Sequence, residues 1–134
     1  DLLRRGGSLR LLTGDYLGVT DPDALQRLID LRAIHGSSRV DLRVYVTSGR
    51  NFHPKAYLLT SNYADGVAYV GSSNLSATAL SDGIEWNYRV DSQRDTAGLA
   101  LVRGAFEALF RDPQTRDLDE AWLAEYRGRR PTLV

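Results

Sequence analysis

The sequence contains no cysteine and no methionine. Disulfides, thiolate nucleophiles and thiolate zinc sites are therefore excluded, and with nothing directing the chain to an oxidising compartment the expected location is cytoplasmic. No apolar run approaches the roughly 18 residues that would span a bilayer, and the opening Asp1-Leu2-Leu3-Arg4-Arg5-Gly6-Gly7 lacks the pattern of a secretory leader, so no membrane partner is expected. Charge of one sign is lacking too. Seventeen basic side chains balance seventeen acidic ones, so no global field attracts phosphate and any nucleic-acid contact must come from a local patch. Lysine is almost absent: Lys55 alone stands among sixteen arginines.

What is present is ordinary for a globular chain. Of 134 residues, 43% are hydrophobic and 25% charged, which fits one domain and excludes disorder as a description of the whole. Leu2 and Leu3 ahead of Gly6-Gly7 read as the end of a helix. The chain is accordingly expected to be an excerpt, lacking its first strand and part of its first helix.

Leu9 to Gly14 reads as a strand and Thr20 to Gly36 as an amphipathic helix started by Asp21-Pro22-Asp23. Val40 to Val46 alternates cleanly, with Val40, Leu42, Val44 and Val46 on one face. Lys55 to Thr60 and Val67 to Val70 form an expected hairpin at the sheet centre, and Ile84 to Val90 a fifth strand. A short helix is expected over Leu75 to Leu80, capped by Asn74. The stripe Leu101, Val102, Ala105, Phe106, Leu109 and Phe110 predicts a long helix, and Asp117 with Glu120 a capping box before a last one. Trp86, Tyr88 and Trp122 lie in apolar patterns and are expected in the core. Arg127-Gly128-Arg129-Arg130 reads as a solvated tail. The fold class is α/β, with helices layered on a sheet.

Chemistry concentrates in three segments. In Phe52-His53-Pro54-Lys55 the imidazole and the ammonium are two positions apart, so on a strand they share a face, and Pro54 puts them at a strand mouth or sheet edge. Gly71-Ser72-Ser73-Asn74 joins a strand to a helix start, where close backbone approach, hydroxyl and amide donors and free N–H groups suit a phosphate. It lacks the Gly-Lys-Ser/Thr of a Walker loop. In Ile84-Glu85-Trp86-Asn87-Tyr88-Arg89-Val90, alternation puts Glu85, Asn87 and Arg89 on one face. Taken singly, His53 reads as a surface histidine, the glycine–serine segment as a capped turn and Glu85 as a solvated strand residue. Their order along the chain is what turns them into a candidate site.

His53-x-Lys55, Gly71-Ser72-x-Asn74 and Glu85 in succession resemble the half-site of the phospholipase D superfamily. The wider wording, from Phe-His-Pro-Lys-Ala-Tyr to Gly-Ile-Glu-Trp-Asn-Tyr-Arg-Val, resembles the phospholipase D-like nuclease domain of bacterial DEAD/DEAH-box helicases and some restriction endonucleases. The resemblance covers about residues 9 to 91. It implies a single phospholipase D-like domain over residues 1–134, with a mixed sheet and helices packed on its faces. It departs in one place, for Thr60 stands where the fuller motif has an aspartate five residues after the lysine.

The resemblance implies a metal-independent phosphodiesterase, a nuclease acting on DNA, joined to a helicase or restriction module. His53, Lys55, Asn74 and Glu85 would be catalytic, and Gly71, Ser72 and Ser73 phosphate-binding. His53 would attack phosphorus to give a phosphohistidine, and Glu85 would hold its tautomer. His35, at a helix end with no lysine beside it, is a poor general acid, so a homodimer sharing one site through two copies of His53 is expected. The residues suggest no cofactor and no metal ligand set. The alternative is an inactive relative that binds nucleic acid or dimerises.

Overall fold

The computed structural model describes residues 1–18, 20–48, 50–61, 65–71 and 83–129. In chain order their elements are β1 (Leu9–Gly14), α1 (Pro22–His35), β2 (Val40–Tyr45), β3 (Ala56–Thr60), β4 (Gly66–Gly71), β5 (Asn87–Asp91), α2 (Thr96–Phe110), β6 (Thr115–Asp117) and α3 (Glu120–Arg129). The architecture is mixed α/β, with two three-stranded sheets among the described residues. The chain divides into two compact units, Asp1–Phe52 with Leu109–Val134, and His53–Ala108.

In the first unit the strand order is β1-β2-β6. β1 and β2 run parallel from Leu9 opposite Val40 to Gly14 opposite Tyr45, joined through α1. The alternation expected of β2 has a packing cause: Val40, Leu42 and Val44 are fully buried, the first two in one core with Leu25 and Ile29 of α1 and Leu123 and Tyr126 of α3. Helix α1 starts as its sequence dictates, with Asp21 accepting from the Asp23 N–H at 3.0 Å and Pro22 in the first turn. Ahead of β1, Gly6 has φ +87° while the Gly7 N–H reaches the Leu2 carbonyl and the Gly6 N–H that of Leu3. This double bond pattern is how a helical turn closes on a left-handed glycine.

The start of α3 differs from expectation. Asp119 is the cap, accepting from the Trp122 N–H at 2.8 Å, whereas Asp117 lies in β6, opposite Arg43 of β2. Three residues are enough for a strand here because β2 offers a free edge, a non-local opportunity that no local pattern announces. The arginines expected as a tail belong to α3 and tie it down: Arg127 pairs with Asp23 at 2.9 Å and Arg129 with Asp15 at 3.0 Å. Arg130 lies outside the described residues. Trp122 packs against the core and stacks on Tyr126. On the sheet's other face the Phe110 ring lies 4.2 Å from the guanidinium carbons of both Arg10 and Arg43, and Phe52 stacks on Tyr45.

The second unit carries the antiparallel sheet β3-β4-β5. Its register sets three rows in line: Ala56, Val70 and Tyr88; Tyr57, Tyr69 and Arg89; Leu58, Ala68 and Val90. Among the described residues β4 is central and β3 is an edge strand with Leu59 exposed, not the buried centre expected of the hairpin. The face bearing Leu58, Ala68 and Val90 packs on Leu99 and Val102 of α2. Leu99 and Val102 are three apart and share a helix face, while Leu101 sits about 200° round from Leu99 and is 75% exposed, so the expected stripe is rotated. Trp86 and Tyr88, expected in the core, are 83% and 71% exposed. The packing of α2 falls on the Leu58–Ala68–Val90 row, and Tyr88 with Trp86 extends past it toward the end of the sheet. No described helix is long and apolar enough to cross a membrane.

Candidate active site

The described residues of the three chemistry-bearing segments lie at one end of the second sheet. His53, Pro54 and Lys55 run into the first residue of β3, and the Gly71 N–H that closes β4 donates to the Lys55 carbonyl at 3.2 Å. The ladder therefore continues one pair beyond β3, and Gly71 is in turn opposite Asn87. Lys55, Gly71 and Asn87 form the terminal row, on the face that also bears Tyr57, Tyr69 and Arg89 and is opposite to the one packed on α2. His53 is exposed and Lys55 half-buried. An exposed imidazole beside a half-buried ammonium offers a nucleophile and a fixed positive charge on the same edge.

Gly71 is required here by close approach. A Cβ at this position would lie 2.0 Å from the Trp86 carbonyl oxygen and 2.6 Å from Asn87 Oδ1. Since that Cβ would point to the Lys55–Tyr57 face, the Trp86 carbonyl crosses over the same face, and the chain ahead of β5 curls inward rather than continuing the strand. The expected strand start at Ile84 is thus displaced to Asn87. Glu85 is half-buried in this curl.

Tyr57 is the residue that motif reading passed over. It follows Lys55 by two positions, on the same face, and its phenol is raised from its ordinary value of 10.0, first by burial and then by the negative charge of Glu85. The available signal was the extension of His-x-Lys to His-x-Lys-x-Tyr, a run of three alternate polar positions on one strand face.

Ser72, Ser73 and Asn74, and the helix expected after them, lie outside the described residues. Thr60 ends β3 and is paired with Gly66. It stands five residues from Lys55, about 16 Å along an extended strand and on the opposite face, so the position of the missing aspartate is remote from the Lys55 row. His35 ends α1 in the first unit. Among the described residues no three His, Asp or Glu side chains come together as a metal site. No protein-family model matches the chain, and no curated protein sequence matches it.

Proposed function

We propose that this chain is a phosphodiesterase of the phospholipase D type, a metal-independent nuclease acting on DNA within a larger helicase or restriction protein. The observation that carries the reading is the terminal row of the second sheet, where the backbone bond from Gly71 to Lys55 brings the His53–Lys55 segment, Gly71 and the Trp86 carbonyl to one end of the sheet.

In this reading the neutral His53 imidazole donates its electron pair to phosphorus, the P–O bond to the leaving group breaks, and a phosphohistidine forms. The leaving oxygen takes its proton from His53 of a second copy of the chain. That same imidazole then accepts a proton from water, whose oxygen displaces phosphorus from His53 and regenerates both side chains. Lys55 and Asn74 bind the non-bridging oxygens, the ammonium offsetting their charge and the amide donating a hydrogen bond, Gly71, Ser72 and Ser73 bind the phosphate beside them, and Glu85 acts as acceptor for a ring N–H. The exposure of His53 suits a residue that must meet a counterpart across a two-fold axis.

The test is hydrolysis of bis(p-nitrophenyl) phosphate and of DNA in EDTA. His53→Ala is expected to remove turnover, by at least about a thousandfold as for loss of a nucleophile, while the fold survives because the side chain is exposed. Full activity in that variant overturns the reading. DNA affinity without cleavage, unchanged by His53→Ala and weakened by Lys55→Ala, would instead make the domain a binding module.

A further inference from the structure

The helix that packs on the second sheet stops short of its end. The Leu58–Ala68–Val90 row lies against α2, but the next row on the same face, Ala56, Val70 and Tyr88, is exposed on all three strands. Trp86, whose carbonyl sits at Gly71, has its side chain in solvent as well. Two aromatic side chains therefore stand open within one row of the terminal Lys55–Gly71–Asn87 row. Aromatic rings are among the groups that gain most from being covered, so a pair left open beside a candidate site calls for an occupant.

We propose that Trp86 and Tyr88 form a base-stacking platform, and that the ligand of the terminal row is single-stranded DNA. The inference deepens the proposed phosphodiesterase reading and rests on it for the place of a phosphate at Lys55. A single strand offers alternating anionic phosphates and flat bases, and proteins that hold one set cations against the first and aromatic faces against the second. Both are present here: the Lys55 ammonium and the exposed His53 ring ahead of β3, and the exposed indole and phenol at the start of β5. In a regular sheet Tyr88 stands about 3.4 Å along the strands and about 10 Å across them from Lys55, well inside the roughly 4 to 16 nucleotides that one such surface engages. Tyr88 issues from the face opposite to Lys55, so the strand passes over the end of the sheet and not along one face. A duplex does not suit the platform, because its bases are stacked on one another and must be extruded before a ring reaches their faces. A second copy of the chain suits it less. Two aromatic side chains of about 150–250 Å² each, with the smaller Val70 and Ile84 added, fall short of the about 800 Å² per partner that a stable dimer buries.

Binding is measured on the full chain carrying His53→Ala, so that the DNA is not consumed, with three labelled probes of equal length: oligothymidylate, an abasic strand and a duplex. Trp86→Ala and Tyr88→Ala, both at exposed positions, should each weaken oligothymidylate by about five- to a hundredfold and leave the abasic strand and the duplex within about twofold. Lys55→Ala should weaken oligothymidylate and the abasic strand alike. Oligothymidylate should quench indole emission where the abasic strand does not, and that difference should vanish in Trp86→Ala, which retains Trp122. Equal losses on oligothymidylate and the abasic strand, a duplex weakened as much as the single strand, no loss on any probe, or no binding at all each overturn the platform. So does a dimer that dissociates in Trp86→Ala by sedimentation, which makes a second copy the occupant. The two readings fail separately. Turnover of bis(p-nitrophenyl) phosphate that depends on His53 upholds the phosphodiesterase whatever the oligonucleotides do, and base-dependent binding without turnover upholds the platform and overturns the phosphodiesterase.

Discussion

At the scale of single residues, Gly71 has the narrowest tolerance. Its missing side chain makes room for a backbone carbonyl, which cannot rotate aside as a side chain would. Gly71→Ala is expected to destabilise the second unit by about 1 to 3 kcal/mol, the usual cost of forcing an atom into an occupied space, seen as a lower urea midpoint. It should also weaken the bond to the Lys55 carbonyl and with it any activity that depends on His53. An unchanged midpoint would mean that the 84–86 segment does not lie on this face. The need for glycine at this position was legible from the motif, but its cause was not. The sequence suggested room for a phosphate, and the structure adds the Trp86 carbonyl.

At the scale of elements, the caps separate two aspartates that the sequence presents alike. Asp119 accepts from the first turn of α3 through its side chain, while its carbonyl takes the Leu123 N–H. Asp117, its own side chain 59% exposed, pairs with Arg32, whose side chain is 16% exposed and which also donates to the Leu118 carbonyl at 2.6 Å and keeps that bond if Asp117 is lost. Asp119→Ala should therefore cost about 1 kcal/mol, and Asp117→Ala less than about half of that. Urea denaturation of the two variants side by side checks the order, and a reversed order would restore Asp117 as the cap. Element type was readable along most of the chain, because helices and strands repeat at different periods. Element ends were less so: β5 starts three residues late because its first residues curl, and β6 was missed because three residues carry no period.

At the scale of the whole molecule, the two units differ in the size of the core that their described residues form. The first buries Leu3, Leu25, Ile29, Val40, Leu42, Leu118, Leu123 and Tyr126 together; the second, among the described residues, buries Ala68, Val90 and Leu99. Local opening depends on how much apolar surface a segment must expose, so amide exchange should be slowest in β2, from Val40 to Val44, and at least about tenfold faster in β5. Hydrogen exchange read by mass spectrometry distinguishes this from one uniform rate. A second sheet that opens more readily carries the candidate site, in keeping with the tendency of sites to occupy less stable parts of a fold.

The first five strands and the helices on either side of them, the buried stripe of β2, the helix start at Asp21-Pro22-Asp23 and the three polar segments were determined by the sequence alone, since each is a local matter of spacing, side-chain type or turn chemistry. Only the tertiary structure decided that Trp86 and Tyr88 stay exposed, that Arg127 and Arg129 reach back to Asp23 and Asp15, and that the Trp86 carbonyl packs over Gly71. Those outcomes depend on where segments distant in sequence cross one another, and a period of two or of 3.6 residues holds no information about that.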